Sequence, residues 1–163
     1  MGKSRSFEII EYRKNVMDAI CKSPEIVKLL GSENSDYPEE ILPYTQIFPY
    51  EFIPETITET DRFICFEMQA HMDYFNKVLK DLTVWFFVFC HEQAVRRLEN
   101  GRQFLWYDQV VCELDNAFTD TNILGIGKMA LQSNVPYYPV QRFKGRQLTF
   151  KVKDFYNGSK YGK

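Results

Sequence analysis

Two alternating stretches near the middle of the chain set its architecture. Phe66, Met68, Ala70 and Met72 alternate with Glu67, Gln69 and His71. That is the period of two expected of a strand with one buried face, and the pattern predicts a strand over 62–72. Over 79–91 both sides are apolar: Leu82, Val84, Phe86, Val88 and Cys90 on one, Trp85, Phe87 and Phe89 on the other. A strand of that kind belongs in the centre of a sheet covered on both faces. The link Asp73–Val78, with Asn76 in it, reads as a hairpin turn or a longer loop.

Helical periods flank this pair. Residues 6–22 place Phe7, Ile10, Met17, Ile20 and Cys21 on one side, with Glu8, Glu11, Lys14 and Asp18 on or near the other. Ser23-Pro24-Glu25 starts a second, short helix over 24–30, with proline at its first position and Gly31 closing it. Asn100-Gly101 marks a turn. A helix over 104–118 follows, with Phe104, Val111, Leu114 and Phe118 on one face and Val110 and Ala117 beside it. Two strands close the pattern, 126–132 and 146–154. In the second, Leu148, Phe150 and Val152 alternate with Gln147, Thr149, Lys151 and Lys153. Between them an exposed loop carries Pro136-Tyr137-Tyr138-Pro139 and the basic residues Arg142, Lys144 and Arg146.

The order α–arm–β–β–α–β–β predicts an α+β fold: a mostly antiparallel four-stranded (or slightly larger) sheet packed by two main helices. At 163 residues the chain is expected to form a single domain, 1–163. Residues 157–163 read as a loose tail.

Residues 31–61 differ in texture. Pro38, Pro43, Pro49 and Pro54 are interleaved with Tyr37, Tyr44, Phe48, Tyr50 and Phe52. Prolines this close forbid a long helix, and the aromatics argue against simple disorder. The segment reads as an extended arm or long ordered loop, with Thr45–Phe48 as an edge strand. Long loops in compact domains are usually functional or stabilised by a partner.

Composition adds two points. Aromatics are abundant, with 14 Phe, 10 Tyr and 2 Trp, more than a core of this size requires, and large aromatics are enriched at interfaces. The net charge of −2 implies no nucleic-acid or membrane partner by itself, but its distribution is uneven. Residues 31–61 hold eight acids, including Glu51 and Glu55, and no Lys or Arg. Residues 141–163 hold seven bases and one acid. Opposite signs at separate places suit a pairing between neighbouring subunits; they also suit two solvated surfaces that never meet.

Candidate chemistry is sparse. Cys21, Cys65, Cys90 and Cys112 lie apart, each in an apolar run and without a CxxC pair, so they are expected to be free, buried thiols in a reducing compartment. The longest apolar run, Val84–Cys90, is far short of the ~20 residues that span a bilayer, and no secretory signal opens the chain. The two histidines, His71 and His91, should lie at opposite ends of the central ladder if residue 66 pairs with roughly 86, which gives no zinc-like ligand set. A nucleophilic pair of Cys65 or Cys90 with His71 would need a thiolate among Phe and Ile, where it is disfavoured. Glu67 and Asp81 across the hairpin are carboxylates without an evident pocket. Gly125-Ile126-Gly127-Lys128 lacks the spacing of a phosphate loop. Met1-Gly2-Lys3-Ser4-Arg5-Ser6 fits a loose myristoylation pattern, and Asn157-Gly158-Ser159 is a formal sequon that is void without secretion. No catalytic residue, cofactor or metal is expected.

The order of these parts resembles the tailed-bacteriophage tail terminator, or tail completion, family that joins tail to head. The resemblance rests on the helix and short helix; the arm Ile47-Phe48-Pro49-Tyr50-Glu51-Phe52-Ile53-Pro54; and the strand Thr83-Val84-Trp85-Phe86-Phe87-Val88-Phe89-Cys90-His91. It rests also on the helix start Tyr107-Asp108 and the closing block from Gly125-Ile126-Gly127-Lys128-Met129 to Gly145-Arg146-Gln147-Leu148-Thr149-Phe150. It implies a homo-hexameric ring at the head–tail junction of a virion or phage-tail-like particle, assembled in the bacterial cytoplasm. Its partners would be copies of itself, the tail tube protein, a head or neck connector and, non-specifically, DNA passing through the lumen. A different connector or neck adaptor, and a small hydrolase or nuclease using Glu67, His71, Asp73 or Asp81, are the competing readings. The expected interface comprises Tyr37, Tyr44, Phe48, Tyr50, Glu51, Phe52 and Glu55 on the arm, and Tyr137, Tyr138, Arg142, Lys144 and Arg146 on the closing block. The basic trio would meet a neighbour, the tube protein or DNA.

Overall fold

A computed structural model describes residues 6–55, 61–72, 79–125 and 127–153. Helices α1 (Phe7–Cys21), α2 (Pro24–Leu29) and the single turn α3 (Pro38–Ile41) precede strands β1 (Ile47–Phe48), β2 (Arg62–Met72) and β3 (Leu79–His91). A 3-10 turn, Glu92–Ala94, leads into a ribbon of β4 (Arg96–Glu99) and β5 (Arg102–Leu105). Helix α4 (Trp106–Phe118) and strands β6 (Lys128–Tyr137) and β7 (Phe143–Lys153) complete the chain. The fold is α+β, as the patterning predicts. The link 73–78, residues 56–60 of the arm and the tail 157–163 lie outside the described residues.

The main sheet has five strands in the order β1-β2-β3-β7-β6. The two apolar-rich strands form its centre, with Phe66 opposite Phe86, and His71 and His91 at opposite ends of the ladder. β1 is the exception to the antiparallel rule: it runs parallel to β2, Ile47 beside Ile64 and Phe48 beside Cys65. A register shift between Gln69 and His71 faces Asp81, whose φ of +55° fits a bulge. In the resulting register Glu67 lies opposite Trp85, so the carboxylates of Glu67 and Asp81 do not oppose each other.

The alternation assigns the two faces. Ile64, Phe66, Val84, Phe86, Val88, Leu148 and Phe150 join the main core with α1, α2 and α4. Within α1 the buried stripe is Tyr12, Val16 and Ile20, spaced four apart, while Phe7 and Ile10 are exposed. The sequence pattern places those two inward; the structure instead turns the Tyr12 ring, apolar along its length, into the core. Trp106 is fully buried at the start of α4, and its indole N–H donates to the Leu29 carbonyl (2.7 Å), tying α4 to the end of α2. The Arg62 guanidinium donates to the Ala94 carbonyl and sits 5.4 Å from the centre of the Trp106 ring.

The other face carries a second cluster, Phe48, Phe63, Cys65, Phe87, Phe89 and Phe143, with Phe52, Trp85 and Tyr137 packed against it. No helix residue contributes to it. Its cover comes from residues following β1: Phe52 stacks on Phe48 (4.0 Å between centroids, 3° between planes) and lies 5.1 Å from Phe63. The arm is therefore folded in part onto its own sheet.

Three boundaries differ from the sequence pattern. α4 starts at Trp106, because Asn100-Gly101 opens a two-residue hairpin whose second strand takes Phe104 and Leu105. β6 runs on through Pro136 to Tyr137; an edge strand tolerates proline because one side of its backbone pairs with nothing. The expected loop 133–145 shrinks to the five residues between β6 and β7.

Candidate functional site

The residues expected to form an interface fall into two places, and the fold adds a third. The first is the acidic segment between α2 and the second cluster. α3 has proline at its first position and buries none of its residues; Leu42 just beyond it is the buried anchor. Tyr44 has a φ of +62°, and its amide donates to the Ile47 carbonyl (2.8 Å), which reverses the chain into β1. The exposed products are Tyr37 (60%), Ile41 (51%), Tyr44 (63%) and, less so, Tyr50, whose ring is 6.4 Å from that of Tyr44. Asp36, Glu39 and Glu40 are exposed around them, with no ion pair to them among the described residues. Glu55 is exposed as well. Phe48 is buried and Phe52 half-buried, both in the chain's own second cluster.

The second place is the turn between β6 and β7. Tyr137 is half-buried over Phe87 (5.0 Å), and its hydroxyl donates to the Glu51 carboxylate (2.6 Å). Burial first, then this acceptor, push the phenol above its usual range. This hydrogen bond joins the arm to the closing block within one chain. The bases beside it are engaged locally. Arg142, at a φ of +70°, pairs with Glu92 (2.9 Å); the Lys144 ammonium lies 5.1 Å from the centre of the Tyr138 ring; Arg146 donates to the side chain and backbone of Asn134 (2.7 and 2.9 Å). These contacts are exposed and individually weak, but they leave the trio less available than its charge alone implies. Tyr138 remains exposed.

The third place is the ribbon β4–β5, of which the sequence pattern shows only the turn. Asn100 and Gly101 have φ of +51° and +74°, the left-handed pair that a two-residue hairpin requires. Pairing of Arg96 with Leu105, Arg97 with Phe104, Leu98 with Gln103 and Glu99 with Arg102 gives the ribbon two faces. The inner face turns Arg97, Glu99 and Phe104 toward α2 and α4 and encloses a cleft of about 240 Å³, also lined by Lys28, Asp108 and Cys112. Glu99 is the hub there, accepting from Gln109 (3.1 Å) and lying 3.9 Å from Lys28 and 4.0 Å from Arg97. Arg97 Nε and Gln109 Oε1 are buried without a protein hydrogen-bond partner. The outer face exposes Leu98 (71%) and Leu105 (41%) with Arg96. The signal available in the sequence was Asn-Gly between Arg96-Arg97-Leu98-Glu99 and Arg102-Gln103-Phe104-Leu105.

Among the described residues, those weighed for catalysis do not converge. Glu67 is held by Arg13, which also donates to the Pro49 carbonyl. His71 is exposed and 2.9 Å from Gln69, Asp81 sits at the bulge, and Asp73 is outside the described residues. Cys65 and Cys90 are buried, and burial pushes each thiol up to about 12. Cys112 is exposed, against the expectation of four buried thiols. His91 is buried; its Nδ1 accepts from the Gln93 amide (3.2 Å), and its ring stands edge-on to Phe143.

A search of curated proteins found no match. A family model does match, over residues 23–152. That range is well over half of the chain and runs from the start of α2 through all but the last residue of β7. The family's name derives from a Bacillus phage. The chain belongs to the YomW family and is a phage-related protein.

Proposed function

We propose that the chain is a structural, non-enzymatic subunit of a phage or phage-tail-like particle, a tail terminator whose copies form a ring, probed first as a hexamer. The ring caps the tail tube and joins it to the head or neck at the head–tail junction. The observation that carries this reading is the surface left open after the chain has filled two cores. Tyr37, Ile41 and Tyr44 on one side and Leu98 and Leu105 on the ribbon remain in solvent. Exposed apolar side chains grouped with charges are the usual mark of a protein partner. The phage-derived family and the dispersed candidate chemistry support the same conclusion. Partners on this reading are further copies, the tail tube protein and a head or neck connector, with DNA passing through the lumen.

The test is to mix the purified chain with the tail tube protein of the same phage and image the products by negative-stain electron microscopy. Rings at one end of tubes whose growth has stopped are the expected result. Binding to a portal-side or neck protein without any effect on tubes would instead make it a connector. No association with either, and no rings alone, would refute the structural role.

A further inference from the structure

We propose that subunits join by docking the ribbon Arg96–Leu105 of one copy onto the acidic aromatic segment around Asp36–Tyr44 of the next. The inference rests on the self-association reading above and names the two surfaces that would meet. Three observations lead to it. The first is charge. On the ribbon Arg97 and Arg102 share the inner face with Glu99, whereas Arg96 stands on the outer face, exposed and without an ion pair among the described residues. On the segment Asp36, Glu39 and Glu40 are exposed and equally unpaired, and no Lys or Arg lies between residues 31 and 61. The closing block, the more basic region by sequence, is a poorer partner because Arg142 and Arg146 already bond Glu92 and Asn134.

The second observation is the apolar centre that each charged rim surrounds. Leu98 and Leu105 stand on the ribbon's outer face; Tyr37, Ile41 and Tyr44 stand on the segment. An apolar centre with a polar rim is the ordinary anatomy of an interface. α3 strengthens the point: a helical turn that buries none of its side chains gains little from its own chain, and a partner would cover it. The third is topology. The ribbon is backed by α2 and α4, and the segment by α1. They are different surfaces, so their contact is head-to-tail, the type that closes into a ring when the rotation permits.

The experiment uses the full chain in sedimentation velocity across concentration and salt, with three variants: Arg96→Glu, Glu39→Arg/Glu40→Arg, and the two combined. All three positions are exposed, so each variant should melt like wild type. Each reversal should weaken association at least roughly tenfold, since like charges then face each other. The combined variant should regain association because the signs match again. Leu98→Ser, with no charge change, should also weaken it. Wild-type association untouched by either reversal, or lost in both without recovery in the combination, would overturn the docking while leaving self-association intact. A wild-type chain that stays monomeric at every concentration, alone and beside the tail tube protein, would overturn both.

Discussion

Gly145 offers the sharpest test of the packing between β3 and β7. It lies opposite Phe89 on one side and Tyr137 on the other. A Cβ built there would be 1.9 Å from the Val88 carbonyl oxygen and 2.7 Å from both Cα and Cβ of Phe89. The neighbours are backbone and the root of a buried side chain, not a flexible tip, so Gly145→Ala must push two central strands apart. Overpacking of a well-filled site costs about 1–3 kcal/mol and sometimes more; with backbone as the obstacle, about 3 kcal/mol is expected. For a chain of this size that is a drop of roughly 6–12 °C in Tm. The assay is urea and thermal unfolding followed by circular dichroism, with Gly101→Ala as comparison. Gly101 has φ of +74° but open space around its Cβ, so alanine there pays only for the left-handed backbone, about 1–2 kcal/mol. Gly145→Ala no more destabilising than Gly101→Ala would refute the argument, since close approach would then count for nothing.

Three further outcomes follow from the same structure. Trp106→Phe keeps most of the packing but leaves the Leu29 carbonyl without its donor, and should lower stability by about 1–3 kcal/mol in denaturant titration. Tyr137→Phe removes the hydroxyl that holds Glu51; a double-mutant cycle with Glu51→Ala should give a coupling of about 1 kcal/mol, modest because the carboxylate is exposed. Native chain should react quickly with a thiol reagent only at Cys112. Cys65 and Cys90 have folded pKa values raised from 9.0 to about 12, so the unfolded chain binds fewer protons between those values. Their contribution to stability is complete below pH 9 and is lost as pH rises toward 12; Cys65→Ala/Cys90→Ala should flatten that alkaline fall.

The sequence patterns were most informative where side chains alternate over many residues. Leu82 to Cys90 on one side and Trp85 to Phe89 on the other placed β3 at the centre, and with Phe66 opposite Phe86 the two-faced sheet followed. What local pattern misses is pairing at a distance. The edge strand expected within Thr45–Phe48 is present as β1, but at two residues long it leaves no periodic trace of its parallel pairing with Ile64 and Cys65. The ribbon is four residues a side with few apolar positions, and the exposure of Leu98 and Leu105 is not displayed by sequence. The Arg142–Glu92 pair spans 50 residues, and without it the basic trio looks free. Cys112 shows the converse: its chain neighbours Val110 and Val111 are buried, but on a helix the next residue faces elsewhere. Of the expected interface, Tyr37, Tyr44, Tyr50 and Tyr138 stand in solvent, whereas Phe48, Phe52 and the Tyr137–Glu51 bond are spent within the chain.

The central claim is that this surface exists to meet copies of the same chain. Sedimentation velocity on the wild-type protein across a wide concentration range tests it most directly. The account predicts that a monomer gives way to one larger species of fixed size, sensitive to salt because charges rim the contact. A single monomer-sized boundary at every concentration and salt, including in the presence of the tail tube protein, would contradict it.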